Sequence, residues 1–76
     1  MTVKEKIGSI LNEIKPTKSL VNTKDIIEGG YLDSFELMAL IMSLNENFGI
    51  EIDVDDVTPE NFNSVDALAA LVERLQ

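Results

Sequence analysis

Polar capping residues stand immediately before each run of apolar residues at helical spacing, and this punctuation constrains the chain more than any other feature of it. Thr2 precedes Glu5 by three positions, the reciprocal pattern of a capping box, and Val3, Ile7, Ile10, Leu11 and Ile14 then share one helical face. The spacing predicts a helix over about 3–14, ended by Pro16 because the residue before a proline is pushed out of the α region. Asp33 and Glu36 repeat the pattern ahead of a helix over about 34–48, with Gly49 as its stop. Thr58-Pro59-Glu60 reads as a cap, a first-turn proline and a first-turn acid, so a short helix is expected over about 59–62. Ser64 caps a last helix over about 65–75, whose Val65, Leu68, Leu71, Val72 and Leu75 make one stripe.

Only Ile50, Ile52 and Val54 alternate with polar residues as a strand would. No second such run exists to pair with it, and an isolated strand is unstable in water, so the strand reading is rejected. Residues 15–32 carry no sustained period; a long loop is expected there, pinned by Leu20, Val21, Ile26 and Ile27 and containing at most a short helical turn. Gly29-Gly30 lets the chain turn sharply before the second helix. The expectation is an all-α fold, a small four-helix bundle of three main helices and a short third one.

A chain of 76 residues has material for one hydrophobic core, so residues 1–76 are read as a single domain. The formal charge of −8 disfavours nucleic acid and anionic lipid and points to basic protein surfaces as partners. It is unevenly placed: from Asp25 to Glu73 twelve acids and no base occur. That fits either a plain solubilising charge or a docking face. With neither His nor Cys, zinc sites, thiol nucleophiles and the usual general base are excluded, and self-contained catalysis is not expected. The lysines of the first third read as solvated surface. Charges at Lys4, Glu5 and Lys6 stand where a signal peptide needs its apolar core, and no apolar run approaches the ~20 residues that span a bilayer. A cytoplasmic protein without stable membrane insertion is the expectation.

Placed on a wheel, the second helix has two apolar faces. Leu37, Leu40, Ile41, Leu44 and Phe48 fall within about 100° of one another and form the core face. Phe35, Met38, Ala39 and Met42 lie nearly opposite, and a domain this small rarely buries a whole helix circumference. Either the loop of residues 15–32 folds over this second stripe or the stripe docks partners. Methionines suit the latter because their side chains adapt to several shapes.

Ser34 opens this helix. It is no triad nucleophile, since no histidine exists and Asp33 alone would not activate it; it reads as a cap, as an exposed polar residue, or as the substrate of another enzyme, where a phosphate-containing group would lie at the positive end of the helix dipole. Gly30-Tyr31-Leu32-Asp33-Ser34-Phe35, with the later Leu44-Asn45-Glu46-Asn47-Phe48-Gly49-Ile50-Glu51-Ile52, resembles the phosphopantetheine attachment region of acyl carrier proteins. The family's Asp-Ser-Leu is matched by Asp33-Ser34-Phe35, and the resemblance extends over essentially the whole chain.

The resemblance implies a four-helix bundle of acyl-carrier type in which Ser34 bears 4'-phosphopantetheine, attached from coenzyme A by a phosphopantetheinyl transferase. It implies that Asp33 caps the helix and helps present Ser34, that Phe35, Met38 and Met42 anchor partners, and that Glu36 and Glu46 steer them. The arm supplies the thiol the sequence omits, for thioester chemistry. Ala39, Asn45 and Asn47 stand where fatty-acid carriers often have carboxylates, which weakens an assignment to housekeeping fatty acid biosynthesis; the more apolar helix resembles carriers serving a dedicated AMP-forming ligase, including D-alanyl and other aminoacyl carriers. Partners are then the transferase and an acyl- or aminoacyl-activating ligase or synthase, and the carrier is a monomer. An unmodified acidic adaptor is the alternative from another class. No metal site is expected: the acids from Asp53 to Asp56 lack the EF-hand ligand and glycine at Val57-Thr58.

Overall fold

A computed structural model describes residues 2–17 and 19–76 of the chain. Helix α1 runs over Val3–Ile14, α2 over Ser34–Phe48, α3 over Pro59–Phe62 and α4 over Val65–Leu75, with a single 3₁₀ turn at Val54–Asp56. Local chemistry accounts for the boundaries. Thr2 Oγ1 accepts from the Glu5 N–H at 3.1 Å while Glu5 Oε1 accepts from the Thr2 N–H at 3.0 Å, closing a capping box. The Thr2 N–H, and secondarily its side chain, hold the Glu5 carboxyl below the usual glutamate range. At the other end of α1 the Lys15 N–H closes on the Leu11 carbonyl at 2.8 Å before Pro16. Gly49 ends α2 with φ +63°, a conformation that favours glycine, and donates to the Asn45 carbonyl.

Burial follows the helical stripes. Ile7 and Leu11 of α1, Leu40 and Leu44 of α2, Phe62 of α3 and Leu68 and Val72 of α4 are fully enclosed, and Leu37, Ile41 and Phe48 pack against them from the margin. Helix α1 packs against both α2 and α4, while α3 packs on α4.

Among the described residues of 15–32 the chain forms turns and bends and no helix. Leu20 and Ile26 are the fully buried pins of this segment, and Ile27 is partly buried. Val21 departs from the expectation: it is 39% exposed, because it lies in the turn that the Thr23 N–H closes on the Leu20 carbonyl, where Leu20 points into the core and Val21 does not. It rests instead above the buried Gly8 of α1, whose missing side chain leaves it room: a β-carbon there would lie 3.4 Å from Val21 Cγ2. The loop is clasped from a distance by Asn63, at the α3–α4 junction. The Asn63 carbonyl accepts from the Ile26 N–H at 3.0 Å, and Asn63 Oδ1 accepts from the N–H groups of Ile27 and Glu28 at 3.0 and 3.1 Å. Asn63 Nδ2 in turn donates to Glu28 Oε1 at 2.9 Å.

The alternating run after α2 forms no strand. Asn45 takes both of its first backbone donors, the Ile50 N–H on its carbonyl and the Ile52 N–H on its side-chain Oδ1, at 3.2 and 2.9 Å. Asp53 and Asp56 then cap the 3₁₀ turn through the N–H groups of Asp55 and Asp53. These carboxylates are engaged by backbone, and among the described residues no group of acids is arranged as a metal cage.

Candidate functional site

The start of α2 is delivered by a sequence of constrained turns. The Gly29 N–H closes on the Asp25 carbonyl, and a β-carbon at Gly29 would come within 2.7 Å of that oxygen, so the turn requires glycine. Gly30 follows at φ +70°. The chain then enters α2 through a second capping box: Asp33 Oδ1 accepts from the Glu36 N–H at 2.8 Å, and Glu36 Oε1 accepts from the Asp33 N–H at 3.0 Å. Ser34 is the first helical residue, exposed and enclosed between these two bonds. Among the described residues its hydroxyl has no hydrogen-bond partner, and neither have the N–H groups of Ser34 and Phe35. A serine oxygen open to solvent leaves room for an attached phosphodiester, and the unpaired donors of the helix N-terminus attract its charge.

The stripe beyond Ser34 is uncovered. Phe35 is 88% exposed, Met38 56% and Met42 58%, and Ala39 is exposed between them. The loop of residues 15–32 buries its own anchors in the core instead of covering this face. Val54, 80% exposed, is an apolar surface residue that periodicity grouped with Ile50 and Ile52. Asn45 lies at the boundary between the two faces of α2 and holds the Ile52 N–H of the exit segment that leads to Val54. The signal for Val54 was Asp53 as a cap, which starts a turn and breaks the alternation.

The two acids of the helix differ in state. Glu36 is partly buried and doubly bonded, accepting from the Asp33 N–H and from Lys15 Nζ at 3.2 Å. Glu46 is exposed and forms no ion pair among the described residues. Two further lysines of the first third also have partners. Lys6 places Nζ 5.5 Å above the Phe48 ring, beside the carbonyl end of α2, and Lys4 meets Asp66 at 3.0 Å.

This geometry agrees with what the chain is similar to. A family described as phosphopantetheine attachment site matches residues 2–72. The chain belongs to that family. It is a carrier protein of the phosphopantetheine-dependent kind, and the group implied is covalent 4'-phosphopantetheine. Among curated relatives, the D-alanyl carrier protein of Enterococcus faecalis is 32% identical over 78 aligned positions covering all of both chains. The acyl carrier protein of Nitratidesulfovibrio vulgaris is 42% identical over 64 positions, covering 74% of this chain and 76% of that one. The D-alanyl carrier protein of Leuconostoc citreum is 33% identical, with 99% and 97% covered. No helix among the described residues is long and apolar enough to cross a membrane.

Proposed function

We propose that residues 1–76 act as one carrier module in which Ser34 bears the 4'-phosphopantetheine arm and the uncovered face of α2 docks partner enzymes. The observation that carries the reading is the exposed, unpartnered Ser34 hydroxyl held inside a closed capping box at the head of an uncovered apolar stripe. When bound, the arm supplies a thiol on which an acyl or aminoacyl group is carried as a thioester. Asp33 fixes the helix start and so the direction in which Ser34 is offered. Phe35, Met38 and Met42 anchor the partner through apolar contact. Glu46 supplies the free steering charge, whereas Glu36 contributes chiefly through the cap. The carboxylates nearest Ser34, those of Asp33 and Glu36, are taken up by backbone N–H groups and Lys15, so modification and loading are assigned to a phosphopantetheinyl transferase and an activating ligase, and the carrier, a cytoplasmic monomer, catalyses neither. Tethering raises the local concentration of the cargo at each docked enzyme.

The cargo reading favoured is aminoacyl, D-alanyl in particular, loaded by an AMP-forming ligase. It is supported by relatives named D-alanyl carrier protein that align end to end, and by the neutral Ala39, Asn45 and Asn47 on the docking helix. Incubating the unmodified protein with coenzyme A and a broad-specificity transferase, followed by intact-mass measurement, tests the first step: wild type gains one phosphopantetheinyl mass and Ser34→Ala gains none. An unlabelled wild type would leave the unmodified adaptor as the better description. Adding ATP, D-alanine and a D-alanyl carrier ligase to the modified protein tests the cargo, with D-alanyl thioester formation expected and absence of loading counting against it.

A further inference from the structure

The capping box that holds the head of α2 also sets two carboxylates beside Ser34. Coenzyme A brings an anionic diphosphate to the same place. During transfer the Ser34 Oγ forms a bond to the phosphorus that bears the pantetheine, and the bond from that phosphorus to the 3',5'-ADP oxygen breaks. The hydroxyl proton passes to a general base of the transferase, and 3',5'-ADP leaves. Both the reacting diphosphate and the phosphodiester that remains on Ser34 are repelled by Asp33 and Glu36. Removing these acids would relieve the repulsion but would open the box.

Lys15 resolves the conflict. It is the C-terminal cap of α1, its backbone fixed by the bond to Leu11, and it reaches across the α1–α2 contact to place Nζ 3.2 Å from Glu36 Oε1. That oxygen is the one that accepts the Asp33 N–H. Both side chains of the pair are partly buried, so the contact is screened less than a fully exposed surface pair. We propose that Lys15 is a positioning residue for Ser34 modification: it locks the Glu36 carboxylate into the box and offsets its charge where the diphosphate must approach. The inference rests on the reading of Ser34 as the attachment residue.

Initial rates of phosphopantetheinyl transfer from coenzyme A, followed by intact mass over a range of carrier concentrations, test it on wild type, Lys15→Gln, Lys15→Arg and Ser34→Ala. Lys15→Gln is expected to lower kcat about three- to fivefold while KM for the carrier stays within about twofold, and Lys15→Arg to recover most of the rate. A merely structural lesion would deplete the competent carrier and raise the apparent KM instead. Amide hydrogen exchange on the unmodified proteins supplies a readout apart from transfer: the Asp33 N–H exchanges faster in Lys15→Gln than in wild type or Lys15→Arg. A wild-type kcat in Lys15→Gln, a loss confined to KM, or a loss that arginine does not rescue overturns the role of Lys15 and leaves Ser34 in place. Failure of wild type to gain mass overturns the carrier reading itself.

Discussion

At the scale of single residues, this protein uses five of its fourteen acids as caps. Asp33, Glu36, Asp53, Asp56 and Glu5 all accept backbone N–H groups, so a good part of the negative charge is structural. Asp33→Ala is expected to cost roughly 0.5–2 kcal/mol by thermal or denaturant unfolding, the usual worth of such a cap, and to slow labelling of Ser34 because the helix head frays. Asp33→Asn keeps the cap and should recover most of the stability. Glu5 has a definite pH signature. Its carboxyl is depressed in the folded state, so its contribution is full above the ordinary glutamate range and is lost as pH falls through the lower folded value. On acidification the backbone amide resonances of Thr2 and Glu5 should therefore titrate together below that range, while those of the α4 cap at Ser64 and Ala67, whose partner is a hydroxyl, stay put.

At the scale of elements, α2 is the helix whose design departs from pure core packing. It buries Leu40 and Leu44 and leaves Phe35, Met38 and Met42 largely in water, an arrangement with no benefit to the isolated fold. Met38→Glu should therefore shift stability by no more than about 0.5 kcal/mol, as exposed substitutions do, while impairing transfer from the ligase or to acceptor enzymes. Marked unfolding of that variant would show the stripe to be structural. The caps of all four helices and the stripes of the three longer ones were readable from residue types alone, because capping and helical periodicity act within a few residues. The state of Glu36 was not readable: Lys15 lies 21 positions away, and only the packing of α1 on α2 brings the pair together.

At the scale of the whole molecule, the long loop is held by a distant residue with no sequence signal. Asn63 serves the backbone of Ile26, Ile27 and Glu28, and its side chain fits two of those donors at once. Asn63→Ala strands the partly buried Ile27 N–H and frees the exposed Glu28 N–H to water, and is expected to cost about 1–2 kcal/mol, lowering Tm by several degrees. Amide protection should fall first between residues 26 and 30, ahead of Ser34. Charge also reads differently at this scale. A net −8 suggests strongly salt-dependent docking, yet on α2 Glu36 is paired and Glu46 stands free beside apolar residues. Raising salt should thus weaken docking only modestly, measurable as a shallow dependence of ligase KM on ionic strength.

The sequence by itself determined the helices, the core stripes, and a serine at the head of an acid-capped helix, since each depends on interactions among near neighbours. The tertiary structure decided which apolar residues stay in water, leaving Val21 and Val54 exposed and the α2 stripe uncovered. It also decided which charges are spent, through Lys15 on Glu36, and what clasps the loop, through Asn63. These pairings join residues far apart in the chain, and such contacts exist only once the helices have packed around a common core.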